Sequence, residues 1–255
     1  MLYFIKSELK KAFKRKYIRY YIIAILAASL LANLAMTGFR NIIYGMNDGT
    51  FAYNLIMFAK GFFWIPYYCT IFIADNVFGE TYPDPRLRDR ANIRLGRSGI
   101  YVGKLIASEI LLVCFALIAA VTFLVITPIF QVHDGTINGA IILDFIESGL
   151  IAMPLFATGV SLAQMFLFAV VPRRRAFICF LIFVVILPRA ILFLATDWVK
   201  FPPAVLLSKI LITPQFQTLQ FYATRDVPKA IWSSFFYILI STVIGCLAYR
   251  HRRKF

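Results

Sequence analysis

Among the ionisable side chains inside otherwise apolar stretches of this chain are Lys60, Glu109, Glu147 and Arg189. A charge held in hydrocarbon is costly unless it pairs or faces a water-filled cavity, so each is a candidate for structural pairing, substrate contact or gating. At helical rise Glu109 lies about 15 Å and Arg189 about 20 Å from the basic ends of their segments, depths at which the two could meet. Lys60 and Glu147 belong near the opposite face, where Lys60 can also snorkel outward. Little else in the sequence suits chemistry. The nearest approach to a G-x-x-x-x-G-K-[ST] phosphate loop, Gly103-Lys104-Leu105, lacks the upstream glycine and the hydroxyl residue. His133 and His251 are far apart, and no G-x-S-x-G elbow occurs. Cys69, Cys114, Cys179 and Cys246 fall singly in apolar runs and read as small buried side chains. Without a catalytic constellation or metal-ligand set, the chain is expected to be no enzyme by itself and to bind no cofactor.

The elements that must position these charges follow from composition. The 255 residues are 61% hydrophobic and 15% charged, with a net charge of +15 and a mean hydropathy of +0.78. Soluble domains hold about 45–50% apolar and about 25% charged residues, so the excess apolar surface calls for a bilayer. Runs near the 20 residues needed to cross one occur at 17–36, 53–78, 100–130, 141–171, 176–195 and 230–249. Gly149, Pro154 and Gly159 permit a kink or a break in the fourth run, and the fifth carries Pro188 and Arg189 near its far end. Twenty Lys and Arg residues flank one side of these spans and five the other. By the positive-inside bias both termini are cytoplasmic, and the chain is a multi-pass protein of the cell membrane. Because the basic residues bracket apolar spans instead of forming one face, nucleic-acid binding is excluded as the meaning of the charge. The basic stretch before the first span also resembles a signal-peptide start, but the apolar run is full length and its loss would spoil the charge asymmetry; it reads as an uncleaved helix.

Three segments lie outside the spans. In residues 1–16, Leu2, Ile5, Leu9 and Phe13 recur at helical spacing among lysines, which predicts an amphipathic interfacial helix. Residues 79–99 are dense in charge, with acids and arginines alternating after Pro83 and Pro85, a pattern that suits a short polar helix and a protein partner. Residues 196–228 hold apolar runs too short to cross and too apolar for exposure, which predicts a re-entrant hairpin of two short helices on the outer face.

The order of these features resembles the type-2 permease of ABC exporters, the six-span class of antibiotic, bacteriocin and peptide efflux systems. Asp75 stands where that family has an acid at the cytoplasmic end of span two, with Gly79 four residues on; Gly96-Arg97-Ser98, Ile100-Tyr101 and Lys104 resemble its entry to span three. Glu80 before Thr81, and the stretch from Tyr82 to Pro85, depart from the family pattern. The resemblance implies an all-α membrane domain with an N-terminal elbow helix, working as a homo- or heterodimer with a second permease copy or paralogue. It implies a separate cytoplasmic ABC ATPase that holds ATP and Mg and receives a coupling loop, here Asp75, Gly79, Glu80, Asp84, Arg86, Arg88, Asp89, Arg90, Arg94 and Arg97. The cargo would be amphipathic or hydrophobic: an antimicrobial peptide, a drug or a lipid-like compound. An ion-coupled carrier or channel, or a protein that sequesters a toxic peptide, are the readings that compete with export.

Overall fold

In the computed structural model, which describes residues 1–39, 51–78, 85–131, 137–196, 201–220 and 222–251, and at 85–95 the helix without its side chains, no strand occurs among the described residues. The helices are α1 (Leu2–Phe13), α2 (Lys16–Phe39), α3 (Phe51–Gly61), α4 (Trp64–Phe78), α5 (Pro85–Phe130), α6 (Gly139–Ala169), α7 (Arg173–Phe180), α8 (Leu187–Leu194), α9 (Pro202–Ser208), α10 (Thr213–Thr218) and α11 (Val227–His251). Five stretches are long and apolar enough to cross a membrane: Lys16–Gly38, Gly96–Phe130, Gly139–Ala169, Arg173–Leu194 and Val227–His251. The bent pair α3 and α4 makes a sixth if counted as one span. This is the architecture of a multi-pass membrane protein.

Two prolines explain where the helices depart from the uninterrupted spans expected of the sequence. The second span, 53–78, is broken between Gly61 and Trp64, and its halves are bent by 57°. Pro66 has no N–H to donate, and its ring would collide with the carbonyl of Phe62 in a continuous helix. In the fifth span a π-helical turn, Leu181–Ile186, joins α7 to α8. It immediately precedes Pro188, near the start of α8, where the wider turn accommodates the missing hydrogen bond. The fourth span, by contrast, stays one helix through Pro154. In α5 the interruption is at Gly96, with φ 68° and ψ 166°. Only glycine takes that conformation without strain, so the charged stretch 85–95 leaves the spanning part of α5 at an angle.

Helix α6 is the hub, packed against α3, α4, α5, α7 and α11, while α2 lies on α5. With little to gain from burying apolar surface away from lipid, such contacts depend on close approach and on polar links. Gly159 lets α6 meet Tyr67 and Thr70 of α4, and Gly245 lets α11 meet the ring of Tyr101 on α5. Ser161 and Ser241 join α6 to α11 through an Oγ···Oγ bond of 2.6 Å, and Ser108 donates to Gln164 Oε1 at 3.2 Å across α5 and α6. The outward faces keep large apolar side chains exposed, among them Trp232, Phe235 and Ile240 of α11 and Leu117 and Val121 of α5, as lipid contact requires.

One face of α1 packs on the bundle and leaves part of its apolar stripe exposed. Leu2 and Phe13 are exposed, and the buried stripe is Ile5, Glu8 and Ala12. This stripe faces α5 and α4, where Gly103 makes room for the ring of Phe4.

A Cβ at position 245 would lie 2.3 Å from Tyr101 Oη, whereas one at 149 would meet nothing within 4 Å. Gly245→Val is therefore expected to lower the stability of the detergent-purified protein by about 2 kcal/mol. Gly149→Ala should leave it unchanged or raise it by about 0.5–1 kcal/mol; thermal unfolding of the two variants checks both.

Candidate functional site

The end of the bundle that carries α1 and the last turn of α11 is organised around Lys104. Its side chain is 3% exposed, and its Nζ donates to the carbonyls of Phe78 at 2.8 Å and Val77 at 3.2 Å. Those carbonyls close α4, where intrahelical donors run out and a cation is favoured by the helix dipole. The same Nζ lies 3.4 Å from Glu8 Oε2 on α1, and Glu8 Oε1 accepts from Lys11 at 2.8 Å. One ammonium on α5 thus holds α1 and the last turn of α4. Burial alone would raise the Glu8 carboxyl, and the Lys104 and Lys11 ammoniums beside it outweigh burial and hold it below its ordinary value.

Two further links converge here. Arg97, one residue past the Gly96 turn, donates to the carbonyl of Arg250 at 2.7 Å near the end of α11. Asp75 on α4 is ion-paired with Arg173 at the start of α7. Asp75 Oδ1 and Asn76 Oδ1 are buried and accept no hydrogen bond among the described residues. Of the residues expected to couple to a partner, Asp75 and Arg97 are therefore brought to one end. Arg86, Arg88, Asp89, Arg90 and Arg94 lie on the helical stretch that feeds this joint, while Gly79, Glu80 and Asp84 lie outside the described residues. Glu8 escaped the sequence reading because it is the one acid in a helix otherwise marked by lysines.

At the opposite end, Lys60 does not snorkel; it is 1% exposed and paired with Asp144 of α6. Asp144 also takes Arg225, which follows the 3₁₀ turn Tyr222–Thr224. Arg225 reaches Ser148 Oγ at 2.7 Å and Glu147 Oε2 at 3.6 Å. Sequence depth brought Lys60 and Glu147 to the same level; the acid that binds Lys60 lies one turn earlier, and Arg225 is the cation that reaches Glu147. The expected meeting of Glu109 and Arg189 does not occur. The Arg189 guanidinium lies 4.2 Å over the ring of Trp64, with Nε 3.4 Å from Tyr68 Oη. Glu109 Oε1 is buried without a hydrogen-bond partner among the described residues. Depth along a helix does not set the direction in which a side chain points, and these two point apart. Among the described residues no three His, Cys, Asp or Glu side chains cluster as metal ligands would.

Comparison with known protein families and with curated proteins finds no match.

A carboxyl held below its ordinary value contributes stability at neutral pH and loses that contribution as the pH falls through the lowered value. Glu8→Gln is expected to lower the thermal stability of the purified protein at pH 7. The gap from the unsubstituted chain should close progressively below the ordinary value of 4.5, as melting curves across that range will show.

Proposed function

We propose that the chain is the membrane-spanning subunit of an ABC exporter. Its cargo is amphipathic or hydrophobic, in the class of antimicrobial peptides, drugs and lipid-like compounds. The energy comes from ATP and Mg held by a separate cytoplasmic ATPase. In this reading the bent pair counts as one span of six, both termini face the cytoplasm, α1 is the elbow helix on the inner leaflet, and α9 with α10 form the re-entrant hairpin on the outer face. The working unit pairs this chain with a second permease copy or a paralogue in the cell membrane.

The observation that carries the reading is the joint at Lys104. The charged helix 85–95 is the only described stretch of α5 outside the spanning part. It enters that part through Gly96, directly beside the contacts to Arg250, Glu8 and the end of α4. A partner that moved this short helix would act at once on α1, α4, α5 and α11. Packed helices pass such a movement on as rigid elements with discrete arrangements, which is what coupling between an ATPase and a permease requires.

One observation favours a second reading. The buried oxygen of Glu109, which has no hydrogen-bond partner among the described residues, is the kind of group an ion-coupled carrier would use to take up a proton.

Reversing two charges of the short helix, Arg88→Glu with Arg90→Glu, should leave insertion intact while abolishing co-purification of the ATPase and its stimulation by the permease. Unchanged co-purification and unchanged stimulation would refute the proposal. Glu109→Gln separates the two readings: an ATP-driven exporter keeps its transport in proteoliposomes, and a proton-coupled carrier loses transport driven by a pH gradient.

A further inference from the structure

Arg189 belongs to neither ionic joint. It stands five residues before the end of the span Arg173–Leu194, about 8 Å from that end at helical rise, and its side chain is exposed. Ile186, one turn before it, and Phe193, one turn after it, share its side of α8 and are 53% and 68% exposed. This side of α8 therefore looks out of the bundle toward lipid. Among the described residues no carboxylate pairs with the guanidinium; the acids of the far end are taken up by Lys60 and Arg225.

Aromatic rings from another element fix the position of this cation. Its guanidinium carbon lies 4.2 Å from the centroid of the Trp64 ring and 5.7 Å from that of Tyr68, and Nε is 3.4 Å from Tyr68 Oη. Trp64 and Tyr68 are one turn apart on α4 and meet edge to face at 5.6 Å. Two interruptions bring the three together: Trp64 opens α4 directly after the 57° bend, and Arg189 follows the π-helical turn Leu181–Ile186. Stacking occupies the flat face of a guanidinium and leaves its N–H edge open. Nε is turned to Tyr68, and the four N–H groups on the two Nη atoms have no acceptor among the described residues. A guanidinium at the lipid boundary needs an anion or water drawn to it. The anion that a bilayer offers at this depth is a phosphate, which the planar edge matches in charge and shape. The exposed apolar side chains beside Arg189 offer surface to the acyl chains below that phosphate.

We propose that Arg189, Trp64 and Tyr68 form a site for the phosphate of a membrane phospholipid, in the leaflet far from Lys104. The rings hold the guanidinium plane, the Nη edge takes the phosphate oxygens, and the acyl chains run along Ile186 of α8. The lipid is thereby bound where α4 and α8 meet. The site stands independently of the exporter reading, because it requires neither an ATPase nor a cargo.

The test uses the full chain in vesicles of diglucosyl diacylglycerol, a lipid without phosphate, with a trace of phosphatidylcholine carrying a photoreactive group at the top of an acyl chain. Mass spectrometry of the labelled peptides locates the lipid. Labelling should concentrate on the start of α4 and on α8, above that of the outward face of α11 around Trp232 and Phe235. Unlabelled phosphatidylcholine should displace it, and inorganic phosphate should not. Arg189→Gln should lower it on the order of tenfold, the effect of losing one charge-assisted hydrogen-bonded pair. Trp64→Leu should lower it too, and Trp232→Leu should leave it unchanged. Four results would each overturn the site: labelling spread equally over α8 and α11, labelling that survives both Arg189→Gln and Trp64→Leu, displacement by inorganic phosphate, or an Arg189-dependent cross-link between two copies with lipid labelling unchanged. The last would give this face to a second copy of the chain.

Discussion

A single buried ammonium, that of Lys104, ties the terminal end of this bundle together. Lysine rarely stays charged out of water without partners, and here four acceptors surround it: the carbonyls of Val77 and Phe78, the Glu8 carboxylate, and the face of the Phe78 ring at 5.7 Å. Three helices whose buried apolar residues already share one core cluster, α1, α4 and α5, are thereby linked by an ion as well. The Arg97 contact to Arg250 adds α11. The charged helix 85–95 enters the spanning part of α5 at Gly96, little more than two turns before Lys104, and so adjoins the joint between the four helices.

The middle of the molecule works on different terms. Lipid tails are as apolar as leucine, so helices α4, α5, α6 and α11 hold together through glycines that admit a neighbouring ring and through hydroxyl and amide bonds such as Ser161 to Ser241 and Gln164 to the Tyr101 carbonyl. The ion pairs among the described residues lie at the two ends, and Glu109 and Arg189 stand apart from them without pairing. The result is a stiff, mostly uncharged shaft around α6 with an ionic joint at either end, a layout suited to passing displacement lengthwise.

Much of this was legible in sequence because hydropathy and charge bias act over whole segments. All six apolar runs correspond to helices, the second as a bent pair, and the apolar piece at 201–207 is largely helical, whereas Ile210–Ile212 lie outside helix and precede the mostly polar helix Thr213–Thr218. What escaped depends on direction around a helix axis. The Glu109 and Arg189 pairing was drawn from depth alone, and Arg189 instead stacks on Trp64. Asp144 and Arg225 went unnoticed because one is an acid near the mouth of a span and the other a cation in a connecting segment, each ordinary by itself. The break before Trp64 was readable in principle, since Pro66 forbids a helix through Phe62. The residues by which α1 packs on the bundle could not be read from the sequence because Glu8, an acid among lysines, is buried by its contact with Lys104 and not by its own polarity.

The central claim is that the helix 85–95 receives a partner's motion. A photo-crosslinking residue placed at Arg88 in the native membrane tests it most directly. The account predicts capture of a soluble subunit carrying a phosphate-binding loop, with the yield changing when ATP is added. Capture of lipid alone, or of no nucleotide-binding protein under any nucleotide condition, would contradict it.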